Sequence, residues 1–483
     1  MKISKLSLSA GVLVALQVAG CGGGGGGGGG GAPPAGTSDV VSSGVITGFG
    51  SVHVNGVRYD TSGASFTIDD SPGSQDDLAV GDVVTIRGQV NDDGRNGTAT
   101  QVSGEDAVEG PVTAVDATAG TLVVAGQSVL VDADTSFDDN IPGASLAGLV
   151  AGDFVEVAGF LDASGAVRAT RIEKKPAGGI VEVNGVVSQL NAATSRFRIN
   201  ALEVSYATAV LEDFPNGQIS NGDFVEVKGT TFVAGVLQAT KVEKKGPGAD
   251  DDGDAQREIE GLITRFASAT DFDVAGRPVT TTPGTVYENG SATDLALNLK
   301  VEVEGTPNAS GVLVARKVSI RRAGNIRVTS QVDSVDAAAG TLVVLGITIK
   351  VDQITRLEDK SDADDESFSL ADISVGDYVE VRGTEFPASS GQLLARRLER
   401  EDADDRSIVQ GPVSAVAAPN LTVFGVTVQT GAGTEFQDLA DNNISSGTFF
   451  GLVTTGDIIK ARGVVIGNQV LDADEVELED EDD

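Results

Sequence analysis

A short motif that recurs six times constrains the fold of this chain more than any other feature of its sequence. A clear copy reads Gly-Asp-Phe-Val-Glu-Val-Ala-Gly and spans residues 152–159. The fourth copy is degenerate, because it has lost the Gly-Asp pair but keeps the alternating strand and the final glycine. The copies span residues 81–88, 152–159, 222–229, 298–305, 376–383 and 456–463. Self-similarity at a regular interval predicts six tandem structural units.

Each unit contains short runs in which apolar and polar residues alternate, and these runs predict β-strands. In the second unit they cover residues 108–115, 121–124 and 128–131, then the Gly-Asp segment, then a last strand within 165–173. The longest connection joins the third strand to the fourth, as in an OB-type barrel. We therefore predict an all-β protein made of six tandem, five-stranded OB-like β-barrels, with a two-sheet sandwich as the alternative.

The alternation also predicts which side chains face the core. In the second Gly-Asp strand, Val155 and Val157 point to one side and Glu156 to the other. We expect the valines to pack inward and the acidic residues to remain in water. A bulky residue after the third strand is predicted to plug each barrel, at Phe66, Phe137, Leu211, Tyr287, Leu357 and Phe436.

The repeats divide the chain into ten predicted segments. A signal peptide (1–20) and a Gly/Pro tether (21–39) precede the first repeat, an acidic linker (246–255) precedes the fourth, and an acidic tail (475–483) ends the chain. The repeats are assigned to residues 40–104, 105–175, 179–245, 256–322, 325–400 and 406–474. A unit of this size is only marginally stable alone, so we expect contacts between neighbouring repeats, with loose joints at short linkers such as residues 174–179 as the alternative.

The amino terminus has the pattern of an export signal. Lys2 and Lys5 precede an apolar run at residues 6–19 that is too short to span a bilayer stably. The run ends in Val-Ala-Gly-Cys at residues 18–21, which resembles the lipobox of bacterial lipoproteins. That resemblance implies that Cys21, the single cysteine, is acylated and anchors the protein to a membrane.

Ten consecutive glycines, residues 22–31, follow this cysteine. Glycine at this density behaves as a flexible tether, so the segment is expected to hold the first repeat away from the membrane. Glycine rather than aspartate directly after Cys21 resembles the sorting pattern of outer-membrane lipoproteins. We therefore predict a lipid-anchored protein of the bacterial cell envelope, at the outer membrane.

The repeated Gly-Asp-x-Val-Glu-Val-x-Gly, with a trailing Gly-x-Leu-x-Ala-x-x-Ile/Val-Glu, resembles a bacterial domain of unknown function, the DUF5666 type. This domain is found in tandem in secreted and lipid-anchored proteins. The resemblance covers nearly all of the chain after Gly44 and is weakest in the fourth unit. It implies β-barrel repeats and an envelope location, and it implies no activity and no catalytic residues.

Composition argues against several classes of function. The formal net charge is −37, and loss of the two signal lysines leaves 32 − 71 = −39. A chain this acidic repels nucleic acid, although basic pairs occur at Arg321-Arg322 and Arg396-Arg397. His53 is the only histidine, so Ser-His-Asp catalysis and Cys/His zinc sites are not expected to recur among the repeats. His53 is interpreted as an ordinary strand residue.

Two sets of aspartates are candidate sites. Those of the Gly-Asp pairs are interpreted as turn residues whose carboxylates accept local backbone N–H bonds: Asp82, Asp153, Asp223, Asp377 and Asp457. Two denser acidic runs offer hard oxygen ligands for calcium, although neither fits EF-hand spacing. The calcium candidates are Asp250, Asp252, Asp254, Asp362 and Asp364.

These observations predict a non-enzymatic envelope lipoprotein that serves as an extended binding or structural module. Its expected partners are the membrane, through acylated Cys21, and an unidentified envelope protein or glycan, but not nucleic acid. No cofactor is predicted apart from the optional calcium. A carboxylate-dependent hydrolase of envelope polysaccharide and a calcium-dependent adhesin are the alternatives.

Overall fold

A computed structural model describes residues 36–245, 255–322, 324–363, 365, 367–387, 390–440 and 442–479 of the chain. Six successive groups of β-strands make up this part of the chain, together with one α-helix, α1 (Ser446–Leu452). Short 3₁₀ turns cover Gln75–Asp77, Pro142–Ala144, Leu146–Gly148, Pro215–Gly217, Ala292–Asp294 and Leu370–Asp372.

The strands of the first three repeats are as follows. Repeat 1 contains β1 (Thr37–Gly48), β2 (Val52–Val54), β3 (Val57–Asp60), β4 (Ser65–Ile68), β5 (Ser71–Gly73), β6 (Val83–Asn91) and β7 (Asn96–Gly104). Repeat 2 contains β8 (Val108–Asp116), β9 (Thr121–Val124), β10 (Gln127–Leu130), β11 (Ser136–Phe137), β12 (Phe154–Leu161) and β13 (Val167–Lys175). Repeat 3 contains β14 (Val181–Val186), β15 (Ser188–Asn191), β16 (Arg196–Ile199), β17 (Leu202–Ser205), β18 (Val210–Glu212), β19 (Phe224–Val233) and β20 (Val236–Lys244).

The last three repeats follow the same order. Repeat 4 contains β21 (Gln256–Ser268), β22 (Asp271–Val274), β23 (Arg277–Thr280), β24 (Val286–Glu288), β25 (Lys300–Pro307) and β26 (Leu313–Arg321). Repeat 5 contains β27 (Ile326–Asp336), β28 (Thr341–Val344), β29 (Ile347–Lys350), β30 (Arg356–Asp359), β31 (Tyr378–Glu385) and β32 (Gln392–Glu401). Repeat 6 contains β33 (Ser407–Ala417), β34 (Asn420–Val423), β35 (Val426–Gln429), β36 (Glu435–Gln437), β37 (Asn443–Ile444), β38 (Ile458–Gly467) and β39 (Val470–Glu479).

Strand pairing within a repeat forms a ring of five strands. In repeat 2, β8 pairs with β9, β9 with β10, β10 in parallel with β13, β13 with β12, and β12 with β8 again. Repeats 1, 4, 5 and 6 have equivalent rings. In repeat 3 the first strand is interrupted at Val187, and its two parts, β14 and β15, pair with β19 and β16. The predicted all-β, OB-like barrels are therefore confirmed, and the sandwich alternative is wrong.

The final glycine of the motif has a steric role that is clearest in repeat 5. Gly383 lies at a bulge where β31 pairs with Ala395 of β32. A Cβ atom added at Gly383 would overlap the carbonyl oxygen of Leu394. The other five final glycines face the same kind of backbone obstruction, opposite Ala99, Ala169, Ala239, Ala315 and Ala473. Glycine facing alanine is thus what lets each barrel close.

The predicted plug residues lie against the barrel cores. Phe137 and Phe436 are buried. The other four, Phe66, Leu211, Tyr287 and Leu357, are partly buried and pack against the apolar cluster of their own repeat.

The repeats associate through their first strands, and not only with their neighbours in sequence. Repeat 2 joins repeat 3 through antiparallel β8 and β14, and repeat 5 joins repeat 6 through antiparallel β27 and β33. Repeat 1 instead joins repeat 4, because β1 and β21 pair in parallel from Val40 opposite Gln256 to Ser43 opposite Ile259. The expected contacts between neighbouring repeats are present for repeats 2 and 3 and for repeats 5 and 6, whereas repeat 1 shares a sheet with a repeat that is not its neighbour in sequence.

The prediction that the strand glutamates remain in water is also wrong. Glu226, Glu302 and Glu380 are 1%, 1% and 7% exposed, because the strand faces they occupy are covered by other parts of the assembly. Each is neutralised by basic side chains. Glu226 pairs with Lys245 at 3.0 Å, Glu302 pairs with Arg321, and Glu380 lies 3.1 Å from Arg397. Burial of a charge is tolerated only with such partners.

Candidate functional site

A cavity of about 410 Å³ lies where repeats 1, 2, 4 and 5 meet, and we call it the central cavity. It depends on the parallel pairing of β1 with β21 and on contacts between repeats 2 and 5. Its basic lining residues are Arg168, Lys300, Arg321, Arg322, Arg356, Arg396 and Arg397. Its acidic lining residues are Asp132, Asp134 and Glu260. Seven basic and three acidic groups give 7 − 3 = +4, inside a chain whose net charge is −37.

Arg356 connects repeats 2 and 5 at the edge of the central cavity. Its side chain is buried and donates hydrogen bonds to the backbone oxygen of Thr170 at 3.0 Å, to Ser136 Oγ at 3.3 Å and to the backbone oxygen of Asp134. Burial, and then the charge of Arg397, lower the pKa of Arg356. All three acceptors are neutral, so this guanidinium forms no ion pair with a carboxylate in the described part of the chain.

Arg396 and Arg168 also lack ionic partners among the described residues. The Nε and Nη1 atoms of Arg396 are buried without a hydrogen-bond acceptor, and so is Nε of Arg168. Burial, and then the nearby charge of Arg321, lower the pKa of Arg396. Arg168, Arg356 and Arg396 therefore form no direct ion pair with a carboxylate of the described chain, although Asp134, which also lines the cavity, attracts the charges of Arg356 and Arg396.

The remaining basic residues of the lining are paired. Lys300 Nζ lies 3.0 Å from Glu260, Arg322 lies 3.1 Å from Asp294, and Arg321 pairs with Glu302. Arg397 lies 3.1 Å from both Glu380 and Glu399. Burial alone would raise the pKa of Glu260, but the charges of Lys300 and Arg321 hold it below its usual value. These carboxylates offset the charges of their partners, so the unpaired cations of the lining within the described residues are Arg168, Arg356 and Arg396.

One side of the central cavity is apolar. Val45, Phe160 and Leu262, from repeats 1, 2 and 4, form a buried cluster of their own, separate from the barrel cores. Lys300 lies over the Phe160 ring, with Nζ 5.4 Å from the ring centroid. The lining thus combines hydrocarbon with cationic groups.

The degenerate motif of repeat 4 lines the central cavity through Asn298 and Leu299. These two residues occupy the positions of Gly and Asp in the motifs of the other five repeats. Asn298 keeps the turn, because it adopts a left-handed φ of 65° and its N–H bonds to the Ile263 oxygen at 2.8 Å. Gly81 of repeat 1 makes the equivalent bond to Ile46 at 2.9 Å. Loss of Gly-Asp therefore changes the cavity wall without changing the fold of the loop.

The five Gly-Asp aspartates lie in the loops that lead into the fourth strand of the barrel. Each carboxylate accepts a hydrogen bond from the backbone N–H three residues earlier. The donors are Ala79 (2.7 Å), Val150 (3.0 Å), Ser220 (2.7 Å), Ser374 (2.9 Å) and Thr454 (2.7 Å). These bonds close local turns, and none of the five aspartates lines the central cavity.

The calcium candidates are not brought together by the described structure. Asp250, Asp252, Asp254 and Asp364 lie outside the described residues, as does Cys21. Asp362 is exposed, and its backbone N–H donates to the Asp402 carboxylate at 2.9 Å.

Two other acidic groups are close enough to hold a cation. Carboxylate oxygens of Asp69, Asp106 and Glu156 lie within 4.8 Å of one another. Burial raises the pKa of all three, that of Glu156 to about 7. The second group, Asp70 with Glu226 and Glu243, is neutralised by lysines; Lys241 lies 2.6 Å from both Asp70 and Glu243.

The basic pairs Arg321-Arg322 and Arg396-Arg397 are visible in the sequence, but no local pattern assigns them a role. A signal was present, because basic residues collect on the last strands of repeats 2 to 5 in a chain that is otherwise acidic. The sequence does not show that repeats 4 and 5 bring these two pairs to one cavity.

Comparisons with known proteins place the repeats in one family. Six segments match the family model described as Domain of unknown function (DUF5666): residues 40–103, 109–173, 184–243, 260–319, 329–399 and 410–477. No curated protein matches the sequence significantly. A solved structure titled Drosophila Unr CSD456 is 16% identical and covers 45% of this chain and 98% of its own, with a TM-score of 0.12. A similarity this low carries no inference. No helix in the described ranges is long and apolar enough to cross a membrane.

Proposed function

We propose that this chain, which belongs to the DUF5666 family of unknown function, is a lipid-anchored binding module of the bacterial envelope. We propose further that it holds a small anion in the central cavity. The observation that carries this proposal is the set of three guanidinium groups, Arg168, Arg356 and Arg396, that line the cavity without ionic partners in the described chain.

Unbalanced, partly buried guanidinium groups are costly unless an anion neutralises them. Arginine also presents a planar fork of donors that matches carboxylate and phosphate oxygens. Two donors of Arg396, Nε and Nη1, are buried and have no acceptor among the described residues. The chain as a whole has a net charge of −37, which repels a polyanion. A small anion that enters the positive cavity is therefore favoured over a polyanion.

Binding suits these residues better than catalysis does. The lining offers no histidine, cysteine or serine among the described residues, and its carboxylate Glu260 is held in an ion pair with Lys300 at 3.0 Å. Neither the polysaccharide hydrolase nor the calcium-dependent adhesin is favoured by this lining. An envelope protein or glycan that carries an anionic group remains a partner consistent with the proposal.

The test is a thermal-shift screen of the mature protein carrying Cys21→Ser with sulfate, phosphate and small organic anions. We expect at least one anion to raise the melting temperature, and Arg396→Gln to abolish that rise. The matched control is Arg316→Gln, at the corresponding position of repeat 4, where the side chain is 65% exposed and pairs with Glu304. If no anion acts, or if both variants behave alike, the cavity does not bind anions.

The membrane anchor is tested separately in cells. Cys21→Ser is expected to move the protein from the membrane fraction to the soluble fraction, because acylation requires the thiol. Retention of the variant in the membrane fraction would exclude a lipoprotein anchor while leaving the cavity proposal intact.

A further inference from the structure

We infer that the ligand of the central cavity is an organic anion with a hydrocarbon body, such as an alkyl carboxylate or alkyl phosphate, and not an inorganic ion. This inference rests on the proposed function, since it specifies the chemistry of the same site. It is carried by three features of the lining that the unpaired arginines alone do not explain.

The first feature is the apolar cluster of Val45, Phe160 and Leu262. These side chains are 4%, 7% and 3% exposed, yet they come from three different repeats and belong to none of the barrel cores. They form an apolar wall on the central cavity that an inorganic anion would not use. A hydrocarbon group placed there would gain the free energy of apolar burial.

The second feature joins this wall to the unpaired charge. Phe160 of β12 and Arg168 of β13 are directly opposite each other in the antiparallel ladder. Directly opposed residues project to the same side of a sheet, with Cβ atoms roughly 5 Å apart. An aromatic ring and an unpaired guanidinium therefore face the cavity side by side, as the two ends of an amphiphilic ligand require.

The third feature is the residue that replaces aspartate in the degenerate motif. Five repeats carry Asp in the Gly-Asp pair, whereas repeat 4 carries Leu299, which lines the cavity. This substitution removes a carboxylate that would repel an anion and adds an apolar surface. The repeat that departs from the Gly-Asp pattern is thus the repeat whose motif lines the cavity. The change makes the cavity wall both less negative and more apolar.

The size of the cavity agrees with such a ligand. Its volume of about 410 Å³ is in the ~300–1,000 Å³ range of small-molecule sites. A single sulfate or phosphate would leave most of this space, including the apolar wall, without contact.

The test is isothermal titration of the mature Cys21→Ser protein with acetate, butanoate, hexanoate and octanoate, with octyl phosphate, and with inorganic phosphate. We expect affinity to rise about three- to fourfold per added methylene until the cavity is filled. Comparison of the affinities for octanoate and octyl phosphate then identifies the preferred head group. Octanol serves as the uncharged control, and Arg396→Gln should weaken octanoate binding while leaving octanol binding unchanged.

The variant Leu299→Asp restores the residue that the other five repeats carry, so it is compatible with the loop. In this variant the affinity should no longer depend on the length of the alkyl chain of the ligand. Circular dichroism should show that the fold is unchanged. If inorganic phosphate binds as tightly as octanoate and chain length has no effect, the hydrocarbon inference is overturned while the anion site stands. If none of these anions binds, both proposals fail.

Discussion

The Arg356 guanidinium of repeat 5 donates a hydrogen bond to the backbone oxygen of Thr170 in repeat 2, at 3.0 Å and across 186 residues of sequence. Lys360 of the same strand region reaches Asp139 of repeat 2 at 3.1 Å. Repeats 2 and 5 are therefore held together by side chains that lie next to the central cavity. Arg356 therefore both lines the central cavity and joins repeat 2 to repeat 5.

Replacing Arg356 by methionine should destabilise the protein. The change leaves the backbone oxygens of Thr170 and Asp134 without their donor, and each buried unsatisfied group costs about 1–3 kcal/mol. Urea unfolding measures the loss as a lower transition midpoint. Arg196→Met is the control, because Arg196 is 47% exposed in a surface pair with Glu203, and it should change the midpoint little. Equal effects of the two substitutions would contradict the role assigned to Arg356.

Replacing Gly383 by alanine should destabilise repeat 5. The new methyl group would overlap the Leu394 carbonyl oxygen, and forcing strands apart at a tight position costs about 1–3 kcal/mol. Thermal unfolding measures the effect. Gly63→Ala is the matched control, because nothing lies within 4 Å of a Cβ at that position and its φ is not left-handed. A melting temperature for Gly383→Ala equal to that of the wild type would show that the bulge tolerates a side chain.

Stability should increase as the pH falls from about 8 to about 5. Burial, and then the charge of Glu226, raise the pKa of Glu182 to about 8. Burial, and then the charge of Asp69, raise that of Glu109 to about 7. The folded state therefore binds protons that the unfolded state has already released, so each group contributes more stability at pH 5 than at pH 8. Melting temperatures recorded across this range should rise by a few degrees on acidification.

The variant Glu182→Gln tests the origin of this pH dependence. It removes one of the groups with a raised pKa, so its melting temperature should vary less with pH than that of the wild type. Glu380 behaves in the opposite way, because its neighbouring arginines outweigh burial and hold its pKa at about 2. The stability that Glu380 contributes is lost only well below pH 5. A melting temperature that falls steadily from pH 8 to pH 5 would contradict this account.

The single histidine provides a spectroscopic check on the core of repeat 1. Burial, and then the charge of Arg58, lower the pKa of His53 to about 4, and its Nε2 has no hydrogen-bond partner among the described residues. NMR titration of the one imidazole should give this value in the native protein and about 6.5 in urea. Because the unfolded state is protonated first, His53 reduces stability as the pH falls from about 6.5 to about 4. A native pKa near 6.5 would mean that β2 is not packed as described.

Local sequence patterns were sufficient to predict what happens inside a repeat. The alternation around Val155 and Val157 identified a strand with a buried face, and the Gly-Asp pair identified a turn, because both depend on residues close in sequence. The six repeats and their OB-like strand order followed from the same local signals.

Relations between repeats could not be predicted in this way. Glu226 and Glu302 alternate with valines and look solvent-facing in sequence, but both are buried against other parts of the assembly. The parallel pairing of β1 with β21 joins segments more than 200 residues apart, and no local periodicity specifies that partner. The central cavity depends on this arrangement, which is why Arg168, Arg356 and Arg396 were not recognised as a group.

The central cavity depends most on the juxtaposition of repeats 1 and 4, and disulfide trapping measures it directly. Ser42 of β1 and Glu258 of β21 are register partners whose side-chain oxygens lie 2.9 Å apart. Cysteines at both positions, in the Cys21→Ser protein, are close enough to form a disulfide. We predict rapid intramolecular oxidation of the native double variant, detected by peptide mass spectrometry, and none in either single variant. Native protein in which the two thiols stay reduced, or link only between molecules, would contradict the arrangement that forms the cavity.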